Sequence, residues 1–360
     1  MVAPWTIYAE RLFPLGYGYP LWCPGPSLEF GEVQIGDVGY RAFGHFHFLF
    51  NCFHPADHPK NVRGVPDSFE TLEIPPGSIQ EFPNELSPTL LKSEGIQSLV
   101  TDGQGGVSVS NTGAEIGARY KCTEHSGAML LLKKPSHRRY LSCGGTVARY
   151  MSKHLKGWYA FATDRLGIDI EMSDLIFVSG HFKTPLWAEA AFSSKTTNSE
   201  LLLRAGLNNL PGCSGGSLSA SLVLSNCESP VVFHHRGPIG SDGSQSTNED
   251  WDLSISERAT ADQCIFINYY KMKFRVAPFR PKVLRGAAGP HDLPPPDDTT
   301  SSSCLIERDS GDTDNTDGGD LSIGGDDPLM HNANCLAYEE GMVDPVDAVL
   351  DYVLAVCLVA

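Results

Sequence analysis

The chain has 360 residues, of which 41% are hydrophobic and 19% are charged, a composition that is ordinary for a folded protein. Its formal net charge of −16 argues against a uniformly basic surface, so nucleic acid is not expected as a partner. No stretch reaches the roughly 18 apolar residues that a membrane-spanning helix needs. Residues 1–11 contain neither a basic nor an apolar signal region, so we expect a protein that is not secreted.

The ten cysteines are scattered along the chain and include no C-x-x-C pair. Without a secretion signal, this usage is typical of reduced thiols that behave as small apolar side chains. We therefore expect a cytoplasmic protein, with the nucleus as a compatible compartment, and no disulfide framework.

Residues 1–140 are predicted to form a β-rich region. Residues 30–40 alternate apolar and polar side chains, and residues 41–50 follow as the expected hairpin partner. Residues 55–90 are rich in proline and are predicted to be loop. The glycine-rich residues 102–106 have the composition of a hairpin loop that joins residues 98–101 to residues 107–110.

Residues 141–285 are predicted to add one helix and further strands, as a second domain or as a continuation of the first. Apolar residues repeat every three or four positions from Val147 to Leu166, which predicts a helix that ends at Gly167. Residues 217–224 alternate serine with apolar residues, and residues 231–235 are the expected hairpin partner. Residues 263–276 are the last long strand predicted.

The composition then changes at residue 286. Residues 286–335 are predicted to be a disordered acidic linker, because residues 291–330 contain eleven acidic residues and one arginine, a net charge of −10. Residues 336–360 are predicted to contain a short helix that begins near Asp344 and Pro345. The expected fold class is α+β and β-dominated, with antiparallel sheets, one packing helix, a disordered acidic tail and a short C-terminal helix.

A glycine-rich loop supplies the one candidate for catalysis. Gly212, Cys213, Ser214, Gly215 and Gly216 resemble the nucleophile loop of trypsin-like serine proteases, in which backbone N–H groups converge on an oxyanion. Ser214 would be the nucleophile, and a hydrolase that uses Ser214 or Cys213 is the alternative function. The other interpretation is a turn that leads into a strand. The sequence favours it because the available bases, His125 and His181, lack the Ala-Ala-His context of that family.

A histidine pair supplies the candidate for metal binding. His45 and His47 would project from the same face of a strand, as metal ligands at that spacing require. No acidic residue completes a ligand set on the residues that follow. Solvated or core histidines explain the pair with fewer assumptions, so no metal and no other cofactor is predicted.

A basic stretch supplies the candidate binding face. Lys271, Lys273 and Arg275 would line one face of a strand, and residues 271–285 carry a net charge of +6. Such a face binds polyanions or protects a sheet edge. Because the acidic residues 291–330 follow closely, we expect the tail to mask this basic face until a partner displaces it.

Seven segments together resemble an uncharacterised family of intracellular proteins from mushroom-forming fungi, across nearly the whole chain. They are residues 16–22, 36–40, 49–51, 174–180, 187–192, 262–267 and 344–352. The resemblance implies an intracellular location and no known activity. The sequence therefore favours a non-enzymatic binding or regulatory protein with a protein partner that it does not identify.

Overall fold

The computed structural model describes residues 2–99, 107–110, 113–193, 199–207, 218–223, 231–237, 260–274 and 283–288, together with Val346 and Leu350. These residues all belong to one compact unit, which comprises residues 1–294 and 342–360. Two α-helices lie in this part of the chain, α1 (Pro4–Leu12) and α2 (Gly144–Ala160). None of the helices described there is both long and apolar enough to cross a membrane.

Seventeen strands lie in the same ranges. They are β1 (Tyr19–Pro20), β2 (Asp37–Ala42), β3 (His45–Asn51), β4 (Ile79–Leu86), β5 (Thr89–Lys92), β6 (Ile96–Leu99), β7 (Val107–Ser110), β8 (Gly113–Cys122), β9 (Ser126–Leu132), β10 (Ser136–Leu141), β11 (Ile176–Thr184), β12 (Trp187–Ser193), β13 (Ser199–Leu207), β14 (Leu218–Val223), β15 (Val231–Gly237), β16 (Gln263–Phe274) and β17 (Val283–Ala288).

The described strands form three antiparallel sheets, which confirms the predicted β-dominated fold. The main sheet has the order β1-β16-β11-β10-β4, with β17 on β16, β2 on β11 and β3 on β2. The second sheet has the order β15-β12-β9-β5, and the third has the order β14-β13-β8-β6 with β7 on β8. Each sheet combines strands from residues 1–140 with strands from residues 141–285, so the predicted boundary between these regions does not separate the sheets.

The predicted helix is confirmed and packs on the main sheet. Helix α2 buries Val147, Met151, Leu155 and Trp158. These residues have the three-to-four-residue spacing from which the helix was predicted. Trp158 lies edge-on against Phe50 of β3, with ring centroids 5.7 Å apart. A π-helical turn, Phe161–Arg165, continues the helix toward Gly167, whose φ of +67° is the left-handed conformation expected of a terminating glycine.

Helix α1 was not predicted. It begins at Pro4. Proline suits the first turn because backbone N–H groups there have no partner within the helix, so the missing N–H of proline costs no hydrogen bond. Its buried face contains Ile7, Tyr8 and Leu12, which pack in a cluster with residues of β9, β12 and β16. Nine residues are too few to show a clear helical repeat, especially among aromatic side chains.

Two predicted hairpins are wrong. Strands β6 and β7 do not pair with each other. Each pairs with β8 instead, β6 through Ile96–Leu99 and β7 through Val107–Ser110. Strand β14 pairs with β13, whereas β15 pairs with β12 in another sheet. Strand β4 and the first two residues of β5 also lie within residues 55–90, which were predicted to be loop.

The C-terminal predictions are tested at a few positions. Gly286, Ala287 and Ala288 belong to β17, so the start of the predicted disordered linker is a strand paired with β16. The rest of that linker lies outside the described residues. Val346 and Leu350 are helical and buried, as the predicted C-terminal helix requires at these two positions.

Candidate functional site

A pocket of about 530 Å³ opens between the loop that precedes β2, the β2–β3 hairpin and the short 3₁₀ helix Pro59–Asn61. Small-molecule sites have volumes of roughly 300–1,000 Å³ and are mostly apolar with a few convergent polar groups. The lining residues are Leu21, Cys23, Pro24, Gly25, Pro26, Ser27, Leu28, Phe30, Gly31, Glu32, Val33, Asp37, His45, Phe46, His47, Phe48, Lys60 and Arg63.

The tip of the β2–β3 hairpin fixes one edge of the pocket. It turns at Phe43 and Gly44, which both have positive φ, 51° and 78°. That geometry matches the right-handed twist of two paired strands, and it strains Phe43 because side chains disfavour positive φ. The Gly44 carbonyl accepts a hydrogen bond from the Cys23 N–H at 3.1 Å, so the hairpin tip holds the lining loop in place.

The inner wall is built around the carboxylate of Asp37, whose residue is 1% exposed. Asn51 Nδ2 donates to Asp37 Oδ1 at 2.7 Å, and the Gln34 N–H donates to Oδ2 at 2.8 Å. Lys60 Nζ lies 3.3 Å from Oδ2 and donates to the Glu32 carbonyl at 2.8 Å. Three separate segments of the chain are thus tied to a single carboxylate.

Asn61 places Lys60 in this network. Its Oδ1 accepts from the Asn51 N–H at 2.7 Å, and its Nδ2 donates to the Asn51 carbonyl at 3.2 Å and to the Pro55 carbonyl at 3.0 Å. The turn begins at His58, whose Nδ1 accepts from the Lys60 N–H at 3.1 Å. The side-chain amide of Asn61 therefore makes the hydrogen bonds to the Asn51 backbone, at the end of β3, that a neighbouring strand would otherwise make.

Burial shifts both charged groups of the wall toward their neutral forms. Loss of hydration raises the pKa of Asp37 to about 6, although Lys60 and the hydrogen-bond donors oppose the shift. The same loss of hydration lowers the pKa of Lys60, with Asp37 opposing it. Nearby, Lys183 Nζ donates to Glu32 Oε2 at 2.8 Å, so the second acid of the lining is also paired with a lysine.

Aromatic rings and a cation form the mouth. The rings of Phe30 and Phe48 lie 5.0 Å apart between centroids, and the Arg63 guanidinium lies 4.4 Å above the Phe30 ring. Arg63 also donates to Glu29 Oε2 at 3.1 Å, and 38% of its side chain is exposed. Leu28 is 71% exposed at the same rim, so an apolar surface and a planar cation face solvent together.

The predicted metal ligands both line this pocket. His45 is exposed and His47 is half-buried, with ring centroids 6.0 Å apart. His47 stacks on Tyr40, its Nε2 lies 3.2 Å from the Ala42 carbonyl, and burial lowers its pKa. Across the residues whose side chains the structure describes, no three histidine, cysteine, aspartate or glutamate side chains converge to hold a metal ion.

The predicted nucleophile loop lies outside the described residues, so Ser214 and Cys213 remain predictions. A different cysteine, Cys23, lies on the pocket wall. Burial, with a further contribution from the nearby carboxyl of Glu189, raises the pKa of Cys23 to about 12. Since the thiolate is the nucleophilic form, Cys23 is not activated for catalysis at neutral pH.

The predicted basic face needs a correction at one position. Lys271 is 2% exposed and lies opposite Ile176 in the interior of the main sheet, so it does not belong to a solvated face. Lys273 is partly buried in the same strand. Arg275 lies outside the described residues, as do residues 291–330, so the masking of a basic face by the tail remains a prediction.

Asp37, Lys60 and Arg63 were not predicted as site residues from the sequence. One signal was available, since Asp37 stands between the apolar residues Ile35 and Val38, and a charged residue that is buried among apolar residues needs a partner. Nothing local showed that the partner is Lys60, because a proline-rich segment separates it from β3.

Comparison of this chain with known proteins identified no relative. No protein-family model, no curated protein and no solved structure matches this chain. The resemblance to the fungal family therefore remains a prediction.

Proposed function

We propose that this chain is a binding protein whose pocket takes a small, planar aromatic molecule with an anionic group. The observation that carries the proposal is the mouth, where the partly exposed guanidinium of Arg63 lies over the ring of Phe30 beside an apolar cavity. An arginine held on an aromatic ring keeps N–H donors for a carboxylate, sulfonate or phosphate.

The lining supports an aromatic ligand body. Phe30, Phe46 and Phe48 contribute rings, and Leu21 and Val33 contribute aliphatic surface. Aromatic groups pack favourably against such rings in edge or offset geometry, beyond the free energy gained from burial alone.

The charges support an anionic group at the mouth. Inside the pocket, Asp37 is paired with Lys60 and Glu32 with Lys183, so neither acid adds an unbalanced charge to the wall. Arg63 pairs with Glu29 through one nitrogen, and a guanidinium has five N–H donors. A ligand anion can therefore bind Arg63 without breaking the pair with Glu29.

The same geometry favours binding over catalysis. Asp37 accepts hydrogen bonds from two donors and contacts Lys60, so it is committed to the fold. Cys23 is held as the thiol by its raised pKa. The alternative, a hydrolase that uses Ser214 or Cys213, predicts covalent labelling of Ser214 by a fluorophosphonate.

We place the protein in a reducing intracellular compartment, the cytoplasm or the nucleus. In support, the described cysteines Cys23, Cys52, Cys143 and Cys264 are free thiols. Burial raises the pKa of Cys52 and Cys264 as well as that of Cys23, which protects these thiols from oxidation.

Two dyes that differ mainly in one charged group test the proposal. 1-Anilinonaphthalene-8-sulfonate is an aromatic anion with a planar naphthalene ring, and N-phenyl-1-naphthylamine is its neutral counterpart. A hydrogen bond to a charged group contributes about 1.5–3 kcal/mol. Arg63→Ala should therefore raise the Kd of the sulfonate, measured by fluorescence titration, at least about tenfold, and should leave the Kd of the neutral dye nearly unchanged.

Arg165 offers a matched control. It also lies over a phenylalanine ring, Phe161, at 5.6 Å, and near an acid, Asp67, at 3.9 Å, but it does not line the pocket. Arg165→Ala should leave both Kd values unchanged. If Arg63→Ala and Arg165→Ala had equal effects on the sulfonate, the proposed anion site would be wrong.

A further inference from the structure

Two helical residues close to the end of the sequence, Val346 and Leu350, pack against one face of the main sheet. Val346 and Leu350, four positions apart, are 7% and 3% exposed. Residues four apart lie on the same side of a helix, so the two side chains form one apolar stripe. The surface that receives them, here called the C-terminal groove, contains Leu21, Ile176, Cys264, Ile267 and Tyr269.

Three cationic side chains lie on the same sheet face as this groove. Lys271 lies opposite Ile176, and Lys183, which is paired with Glu32, lies opposite Cys264, in the pairing of β11 with β16. The Arg41 guanidinium lies 3.9 Å above the ring of Tyr19 and 4.8 Å above that of Tyr269. Residues directly opposite in an antiparallel pair project to the same face, so these cations share a face with the groove.

The sequence around the two anchors is acidic. Asp344, Asp347 and Asp351 accompany Val346 and Leu350, and no basic residue lies within residues 342–360. An acidic helix with two apolar anchors therefore matches both the apolar floor of the groove and the cations on the same sheet face.

The groove and the pocket share structural elements. Leu21 belongs to the groove, and Val33 and Phe46 pack against the same cluster. All three also line the pocket. Side chains that contact both occupants provide a physical path by which one occupant can change the affinity for the other.

We propose that the C-terminal groove is a docking site for an acidic helix with two apolar anchors, occupied here by the chain's own Val346 and Leu350, and that docking strengthens ligand binding in the pocket. The coupling rests on the proposed function, whereas the docking does not. Residues 295–341 join Val346 and Leu350 to the rest of the chain. Such a tether gives an effective concentration of roughly millimolar order, which a peptide of the same pattern can overcome at higher concentration.

The test of docking uses the full chain with Val346→Asp and Leu350→Asp. A synthetic peptide of residues 342–356 should bind this variant in a calorimetric titration and should bind the wild-type chain at least about tenfold more weakly, because the groove is already occupied. A peptide with Asp at 346 and 350 should not bind. Val2→Asp, at a residue that is 54% exposed, is the matched control and should behave like the wild type.

A folding defect has to be separated from loss of docking. Circular dichroism and thermal unfolding of the double variant provide this check, and Val346→Ala with Leu350→Ala is the milder replacement if the aspartates unfold the chain. If a folded variant of either kind did not bind the peptide, the docking site would be wrong.

The coupling is measured with the aromatic sulfonate already described. The double variant should bind the sulfonate about fivefold more weakly than the wild type, and the peptide should restore the affinity. By linkage, saturating sulfonate should tighten peptide binding by the same factor. If the sulfonate bound in the uncovered groove instead, the peptide would displace it. The peptide would then weaken sulfonate binding, whereas coupling to the pocket would strengthen it.

The outcomes distinguish the two proposals. If the wild type shows no Arg63-dependent sulfonate binding, the proposed function is wrong, and the peptide titration still decides the docking site. If Arg63-dependent binding is present and the double variant binds the sulfonate as the wild type does, the coupling is wrong and the proposed function stands.

Discussion

Two carboxylic acids are buried in this protein in opposite ways. Asp37 lies at the pocket wall, 1% exposed, with Asn51 and the Gln34 N–H as donors and Lys60 as a counter-ion. Glu189 lies on β12, 3% exposed, next to the apolar cluster formed with α1. Burial raises the pKa of both acids, and the group that opposes the shift at Glu189 is the Tyr8 hydroxyl.

The two acids are equally buried, so the difference between their pKa shifts shows the effect of the surrounding hydrogen-bond donors. Around Asp37 the donors limit the rise, and the pKa remains about 6, within reach of physiological pH. Around Glu189 the pKa rises well above its usual value, so the side chain is held as the neutral acid. The first acid binds segments together through charge, and the second behaves as a polar group in an apolar core.

The largest effect should follow from removal of the counter-ion of Asp37. Lys60→Met leaves a buried carboxylate without its partner, which costs about 3–5 kcal/mol of unfolding free energy at pH 7. The loss should be smaller at pH 5, since Asp37 can then bind a proton. Urea unfolding at the two pH values measures both quantities.

Lys153 provides the control for that prediction, because it pairs with Glu70 while 61% of each side chain is exposed. Lys153→Met should leave the stability almost unchanged. Equal losses for Lys60→Met and Lys153→Met would remove the distinction between the buried and the exposed pair.

The next effect concerns Glu189→Gln. An acid with a raised pKa in the folded state stabilises the protein below its unfolded pKa, near 4.5, and this contribution is lost as the pH rises toward the folded pKa. Relative to the wild type, Glu189→Gln should therefore gain stability by up to about 1.4 kcal/mol for each pH unit. The gain should still be increasing above pH 6 in a series of denaturant titrations.

The smallest effect should come from Asp37→Asn, followed in the same titrations. Its folded pKa of about 6 lies above the usual 3.8, so the wild type loses stability as the pH rises from about 4 to about 6. The variant should gain up to about 3 kcal/mol relative to the wild type over that interval. The gain should then stop, in contrast to Glu189→Gln, and curves of the same shape for both variants would contradict the comparison.

Local pattern predicted α2 and several strands, but it missed α1 and β4 and gave the wrong partners for two predicted hairpins. Helix α2 could be predicted because one stripe of a long amphipathic helix faces the core. The pairings of β14 and β15 could not, because β14 pairs with β13, the strand before it, whereas β15 pairs with β12 in another sheet. A strand pattern shows which face is buried and carries no information about which strand lies beside it.

The same limit applies to the candidate site. His45 and His47 were identified because they stand close together in sequence, and they do line the pocket. Lys60 and Arg63 reach it through the turn that Asn61 holds against β3. A single asparagine amide sets that approach, and neither composition nor periodicity reports such a contact.

The C-terminal groove has a consequence for how the protein is made. Leu21 and Leu350 lie near opposite ends of the chain and belong to one apolar cluster. During synthesis the first of them leaves the ribosome long before the second, so this cluster can be completed only after almost the whole chain has emerged. Until then the groove stays uncovered on the nascent protein, and a chaperone that recognises apolar surface has its longest opportunity to bind there.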